Sequence, residues 1–517
     1  MGLFAVAIAF SLQKKIMKYV LISKQRRVTL FIGCGIAFFL LLLFKNSFSQ
    51  SNEQFTLLTR ETIEIQGKKY ILQNAQIQVP EDRAKPDSRI LTLPIKIFKT
   101  ASVNPAEPIF WLDGGPGSSN MVSVRSLSTA VASAELLKEH DIVCVGYRGA
   151  DGSTILNSKK VNKAFKGRNH QQLSDQSLNH IQSKMNEYLI ELRSKGIDID
   201  KYTMIDVIDD IEYARQALGY KSINLLSVSY GTRVALLYSY RYPQALNHTV
   251  MIGPNPPGHF IWQATKTDQI IDLYDSLYKA QNRSDYKGSI KEAMKKAFQK
   301  MPKRWSVYKL DADKIKVGTF GAMFSKEYAA MAFDYYFKAA NNGDYSGLYM
   351  IQLIADMMGG TITGDLYAKG VSADFEPDID YRKTLRSTNT VLGSNVSLLY
   401  WGIAGNWTQS LIPEEYRKCR LTNSSTLIVS GHLDVSTPAD FATDELMPFL
   451  SNGKHISLAN MSHSDIFYKA MSTSGFLIAY FDSGEAKASL MEKNNEVDFV
   501  PKKKFSKLKI FMAGLIM

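Results

Sequence analysis

Ser222-Ile223-Asn224-Leu225-Leu226-Ser227-Val228-Ser229-Tyr230-Gly231-Thr232, followed by Val234 to Tyr240, decides how this chain is read. An apolar run ends in a turn of small residues, and a helical pattern begins at once. A serine at the tip of a strand-to-helix turn is lifted out of the sheet, and the helix N-terminus behind it favours developing negative charge. The common form of such an elbow is Gly-x-Ser-x-Gly. Ser227 stands at the first glycine position, which crowds the turn by one CH₂OH group. Ser-Gly turns between strand and helix also occur without chemistry, so the reading depends on what surrounds this one.

Upstream, Leu91, Leu93, Ile95 and Ile97 alternate with Thr92, Pro94 and Lys96, the pattern of a half-exposed strand. Pro94 places that strand at a sheet edge. Pro108 to Leu112 and Asp141 to Tyr147 read as short buried strands. Asp206 to Leu218 carries Val207, Ile211, Ala214 and Leu218 on one helical face, and Gly219 stops it. His248 to Gly253, Thr426 to Ser430 and Lys454 to Leu458 are further strands. Strands alternating with helices predict a mostly parallel central sheet flanked by helices. Between Pro254 and Thr408 the strand pattern stops. Amphipathic stretches over 267–280, 289–300, 326–340 and 347–358 take its place. An insertion there predicts a helical lid over the strand C-termini, where open α/β sheets bind ligands.

The net charge of +13 on 517 residues is concentrated at the two ends. Residues 1–50 hold seven Lys/Arg and no acid, and residues 491–517 hold six Lys against three acids. The body is close to neutral, which excludes a nucleic-acid binder. Val28 to Phe44 is a run of 17 uncharged, mostly apolar residues, at the short end of a membrane span. Six Lys/Arg precede it, so the long body is expected outside the cytoplasm, periplasmic or secreted. Ser47-Phe48-Ser49 suits signal peptidase, with cleavage before Gln50; an uncleaved membrane anchor fits the same residues. Met17 begins a complete signal-like segment by itself. The expected organisation is a signal peptide or anchor over 1–49, core over 50–254, helical lid over 255–408, core again over 409–490, and a basic tail over 491–517. From Lys502 to Met517 the tail alternates Lys with apolar residues, which reads either as a segment lying on an anionic membrane or as a frayed terminus. Cys144 and Cys419 lie in the body, and their spacing leaves both a disulfide and free thiols open. No Cys/His cluster has zinc spacing and no phosphate or dinucleotide fingerprint occurs, so neither metal nor cofactor is expected.

A serine nucleophile needs an imidazole base, and the imidazole needs a carboxylate to orient it. Downstream of the elbow, Leu427 to Gly431 leads into His432-Leu433-Asp434, then Thr437-Pro438. One strand later, Asn460-Met461-Ser462-His463-Ser464 follows Leu458. Asp434 and His463 are the candidate acid and base, with His432 and Asp440 as rivals. Candidate oxyanion donors are the backbone N–H of Tyr230, after the nucleophile, and of Gly114 or Gly115, where glycine admits close approach.

Taken together, these segments resemble the proline iminopeptidase and tripeptidyl aminopeptidase branch of the α/β-hydrolases. The resemblance spans about residues 70–255 and 405–505. It rests on Ile77-Gln78-Val79-Pro80, Gly114-Gly115-Pro116-Gly117, Tyr147-Arg148-Gly149 with Gly152-Ser153, Ser229-Tyr230-Gly231-Thr232, Asp434 with Thr437-Pro438, and Val500-Pro501. It implies an α/β-hydrolase fold and a serine exopeptidase that removes short units from free peptide N-termini. Asp113, Ser227 and the Ser462/Ser464 pair around His463 depart from the family pattern, as does Ile403 to Trp407, which lacks the cysteine and acid expected at the lid's return. An exopeptidase also needs an anion for the substrate ammonium; Glu327, Glu376 and Asp378 are the candidates. Two other classes fit the same residues: an esterase acting on carboxylic esters, and an inactive binding relative.

Overall fold

The computed structural model describes residues 55–167, 171–281, 288–358, 361–491 and 505–516 of the chain. The expected anchor at 28–44 and the cleavage site before Gln50 lie outside them. Among the described residues no helix is long and apolar enough to cross a membrane.

The strands in chain order are β1 (Phe55–Ile65), β2 (Lys68–Pro80), β3 (Ile90–Lys99), β4 (Ala106–Leu112), β5 (His140–Val145), β6 (Arg148–Gly149), β7 (Asp151–Ile155), β8 (Ile223–Val228), β9 (Leu246–Ile252), β10 (Arg304–Trp305), β11 (Tyr308–Lys309), β12 (Ser425–Gly431) and β13 (Gly453–Leu458). Nine form one sheet in the order β1-β2-β3-β5-β4-β8-β9-β12-β13. From β5 to β13 every neighbouring pair is parallel. β1, β2 and β3 join antiparallel.

Alternation along the central strands divides the core. Phe110, Leu225, Met251 and Ile428 point into one apolar layer, while Trp111, Leu226, Val250, Ile252, Leu427 and Val429 point into the other. Both faces are therefore buried, as a parallel sheet requires. On the second face lie helices Val131–Leu136, His463–Ser472 and Phe476–Ser483. On the first lie helices Met204–Ala217 and Tyr230–Arg241.

One expectation is corrected. β3 lies inside the sheet, between β2 and β5, and not at its edge. Pro94 is tolerated because the β3–β5 ladder pairs only Ile95 to Phe98. At Pro94 strand β5 has already ended, and only Gly146 reaches it, donating to the Pro94 carbonyl.

Between β9 and β12 the regular structure of the described residues is mainly helical, with helices Ala264–Ala280, Ile290–Gln299, Ala312–Ala322, Lys326–Asn342, Ser346–Met358, Thr363–Asp374, Tyr381–Arg386 and Asn395–Trp401. Its apolar residues belong to the same core layer as the first sheet face. The tail forms a helix, Lys507–Ile516, against this insertion: Ile510 is buried and the Tyr308 hydroxyl donates to the Phe511 carbonyl at 2.7 Å. Leu508, Met512 and Leu515 of that helix are exposed.

Candidate active site

The parallel strands deliver their following loops to one edge of the sheet. β4 runs into Gly114 to Gly117, β8 into Ser229, β12 into Asp434 and β13 into His463. Four segments far apart in sequence thus share one rim, and the insertion leaves from the same rim after β9.

Ser229 holds φ 52° and ψ −122° between β8 and the Tyr230–Arg241 helix. A non-glycine residue in that region costs on the order of 1–3 kcal/mol, which the surrounding structure offsets. The Ser229 N–H donates to the Ile252 carbonyl at 2.9 Å, and its own carbonyl accepts from the Thr232 N–H at 2.9 Å. Gly231 is obligatory: a Cβ there would fall 2.2 Å from the Leu112 carbonyl oxygen. Ser227, in contrast, is accommodated without a clash. Its hydroxyl is buried and donates to the Val250 carbonyl at 2.8 Å.

Asp434 is fully buried. Its Oδ1 accepts from the N–H groups of Ser436 and Thr437, each at 2.8 Å. Its Oδ2 accepts from the Thr437 hydroxyl at 2.8 Å and from His463 Nδ1 at 2.7 Å. A carboxylate only accepts, so this contact fixes the proton of a neutral His463 on Nδ1 and leaves the Nε2 lone pair free. His463 opens its helix, and the neighbouring Ser462 hydroxyl and Ser464 N–H both donate to the Phe324 carbonyl of the insertion, at 2.8 and 2.7 Å. The two serines flanking His463 therefore bind the insertion. The Phe324 ring meets the imidazole edge-on at 5.0 Å.

Ser229 and His463 both lie against the end of β9. Ser229 is bonded to Ile252, while a Cβ on the next residue, Gly253, would lie 3.1 Å from His463 Cε1. No hydrogen bond joins the Ser229 hydroxyl to the imidazole here. Such contacts are often long before substrate arrives. The rivals lie elsewhere in role: Asp440 pairs with Lys266, and His432 is exposed.

Two candidate oxyanion donors carry no partner among the described residues, the N–H of Tyr230 and that of Gly115. Gly114 is different: its N–H is given to Asp113 Oδ1 at 2.7 Å. Of the two glycines, only Gly115 has a free donor, and the expectation for Gly114 is corrected accordingly. Gly114 instead backs Ser229; a Cβ there would lie 3.1 Å from Ser229 Cβ. Burial raises the Asp113 carboxyl, against donation from Ser123 and Gly114.

Two further residues support this rim: Asn120, which the sequence leaves unmarked, and Arg148, which stands there only inside the Tyr147-Arg148-Gly149 motif. Asn120 accepts from the Asp113 N–H and donates to the Trp111 and Val145 carbonyls, joining β4 to β5. Arg148, fully buried, forks onto Asp210 at 2.6 and 2.7 Å and caps the carbonyls of Glu81 and Lys201. Of the candidate anions, Glu376 is exposed and paired with Arg417 at 2.7 Å, and Asp378 is exposed. Glu327 lies in the first turn of the Lys326–Asn342 helix, just after Phe324. Cys144 and Cys419 are free thiols, the first buried and driven far up by burial, the second pushed up to about 11 by burial. Among the described residues no group of His, Cys, Asp or Glu could hold a metal ion.

A family model described as alpha/beta hydrolase fold matches residues 107–331, which span β4, β5, the elbow and the first part of the insertion. The chain has the α/β-hydrolase fold. Among curated relatives, the chain is similar to the tripeptidyl aminopeptidases of Streptomyces coelicolor and Streptomyces lividans, at 25% identity over 207 residues in each case. The match takes in 39% of this chain and 38% of each relative, so it spans well under half their length. Similar solved structures include an alpha/beta hydrolase enzyme from a Medee basin deep-sea metagenome library (14% identity, TM-score 0.34, 77% of this chain and 96% of that one). A thermophilic esterase from Thermogutta terrifontis is another (10% identity, TM-score 0.31, 75% and 91%). The motif resemblance agrees with the family model on the α/β-hydrolase fold and with the curated matches on the tripeptidyl aminopeptidases as relatives.

Proposed function

We propose that this protein is a serine hydrolase, an aminopeptidase that releases short units from free peptide N-termini. The observation that carries the reading is the pairing of a strained Ser229 elbow with a buried Asp434–His463 contact at 2.7 Å on the same rim. In this mechanism Ser229 Oγ attacks the scissile carbonyl carbon while His463 Nε2 takes its proton. The resulting oxyanion is bound by the Tyr230 and Gly115 N–H groups. The C–N bond then breaks as the imidazolium returns the proton to the leaving amine. Water, deprotonated by the same imidazole, hydrolyses the acyl-enzyme. Glu327, beside the loop that packs on His463, is the carboxylate we assign to the substrate ammonium.

A second reading, an esterase, draws on the aromatic run beside the base. Phe324 on His463, Phe320 at 5.7 Å from Phe324, and Trp262 at 5.3 Å from Phe320 form an apolar wall that suits an acyl chain as well as a peptide. Turnover of Ala-Ala-Pro 4-nitroanilide against 4-nitrophenyl butyrate separates the two. Ser229→Ala is expected to lower kcat by about three or more orders of magnitude with the fold retained, and to abolish labelling by a fluorophosphonate. Undiminished turnover by that variant would overturn both readings. We further propose an extracytoplasmic body anchored or exported through residues 28–44, supported by the basic, acid-free N-terminus. Protease accessibility of the body in spheroplasts, with a cytoplasmic protein as the protected control, tests it, and full protection of the body there would refute it.

A further inference from the structure

The loop that carries the free Gly115 donor is held from both sides. At its start, Asp113 is fixed to the core by Asn120 and Ser123. At its end, Gly117 is fixed to the insertion. The Gly117 N–H donates to Asp365 Oδ2 at 3.0 Å, and its carbonyl accepts from the Ile362 N–H at 2.9 Å. Gly117 has φ 79°, and a Cβ there would meet Thr361 Cγ2 at 2.3 Å and Leu366 Cβ at 3.0 Å, so the insertion touches the loop without a gap.

Asp365 is itself locked. It is 1% exposed, in the first turn of the Thr363–Asp374 helix. Its second oxygen receives the ammonium of Lys369, one turn along, which is fully buried and also donates to the Arg148 carbonyl at 3.0 Å. Arg148 is in turn clamped to Asp210 of the core. A carboxylate–amide contact of this kind is charge-assisted and short-ranged, so it fixes position as well as energy. Only Pro116 separates Gly117 from Gly115. Misplacing a catalytic donor by about 1 Å can cost about 100-fold in rate.

We infer that Asp365 is a positioning residue, and that through Gly117 the insertion sets the placement of the oxyanion donor on Gly115. The cover and the oxyanion hole then act as one mechanical unit. This rests on the serine-hydrolase reading above.

The test compares two variants that both remove the buried ammonium. Asp365→Asn with Lys369→Met keeps an acceptor oxygen for the Gly117 N–H; Asp365→Ala with Lys369→Met does not. With Ala-Ala-Pro 4-nitroanilide, the alanine variant is expected to lose about 10- to 100-fold in kcat with KM nearly unchanged. Its affinity for the aldehyde Ala-Pro-alaninal, which forms an oxyanion on Ser229, should fall by the same factor. The asparagine variant should stay within about threefold of wild type. Equal kinetics for the two variants, or a loss confined to KM, would overturn the inference. In the unaltered protein, hydrogen exchange should slow over 361–374 when the aldehyde binds; no change there would also overturn it. Wild-type protein that neither turns over substrate nor reacts with a fluorophosphonate would refute the hydrolase reading itself, a different failure from active wild type with indistinguishable variants.

Discussion

Asp434 accepts four hydrogen bonds with no exposed surface, and this defines what a change of one atom does. In Asp434→Asn the side-chain oxygen can keep the Ser436 and Thr437 amides. The new NH₂ then faces His463 Nδ1 and donates to it. The imidazole is driven to the other tautomer, with its proton on Nε2, where it cannot accept from Ser229. Because the shape is unchanged, the turn should survive while kcat falls by about four orders of magnitude. Steady-state kinetics with a matched melting curve check this; a loss of under tenfold would remove Asp434 from the mechanism. Around the serine, the same scale explains a departure from the usual elbow pattern. The first glycine position tolerates Ser227 because its hydroxyl finds the Val250 carbonyl. The second cannot change, because the Leu112 carbonyl fills the space a Cβ would need.

Among the elements, the Tyr230–Arg241 helix and the insertion are tied by a buried ion pair. Arg233, fully buried, reaches Asp374 at 3.0 Å and also donates to the Asn255 carbonyl at 2.7 Å. Asp374 additionally accepts from the Gly258 and Phe260 N–H groups. Removing one partner of a buried pair leaves an uncompensated charge, so Asp374→Ala should lose about 3–5 kcal/mol of stability. Arg233→Met with Asp374→Leu should lose less, and chemical denaturation of the two variants measures the difference. A smaller loss for the single variant would contradict this account. Periodicity exposed these helices well, because apolar spacing and capping are local: those starting at 264, 290, 326 and 346 match the amphipathic stretches. The Thr363–Asp374 helix was not legible; polar residues on its buried faces, Asp365 and Lys369, break the amphipathic pattern. Ser229, Asp434 and His463 could be picked out as candidates because each follows a strand end. Asp365 could not, because its partner Gly117 lies 248 positions away and neither residue announces the contact. Pro94 misled for the converse reason: its rule assumes a complete ladder on both sides, and the β5 ladder stops short of it.

At the scale of the molecule, the insertion shares its apolar layer with the core among the described residues. One apolar layer runs from Ile77 and Leu93 of the sheet through Tyr230 and Leu237 of the Tyr230–Arg241 helix to Tyr274, Ile315, Phe333 and Leu398 of the insertion. It also takes in Ile510 of the C-terminal helix. The opposite layer is confined to the core and its final helices. Chains of this size often unfold in stages, domain by domain, when each domain buries its own apolar residues. Here a detached insertion would expose the sheet face it covers, and would part Arg233 from Asp374, Lys369 from the Arg148 carbonyl and Asp365 from Gly117. The expected outcome is that insertion and core unfold together, in one calorimetric transition over the described body. Asp374→Ala should shift that whole transition to lower temperature without splitting it. Hydrogen exchange followed by mass spectrometry gives the decisive measurement: peptides from 264–280 and 326–342 should open with the same free energy as those from 223–228 and 246–252. Earlier opening of the insertion peptides, or a separate low-temperature peak, would show a cover that melts by itself.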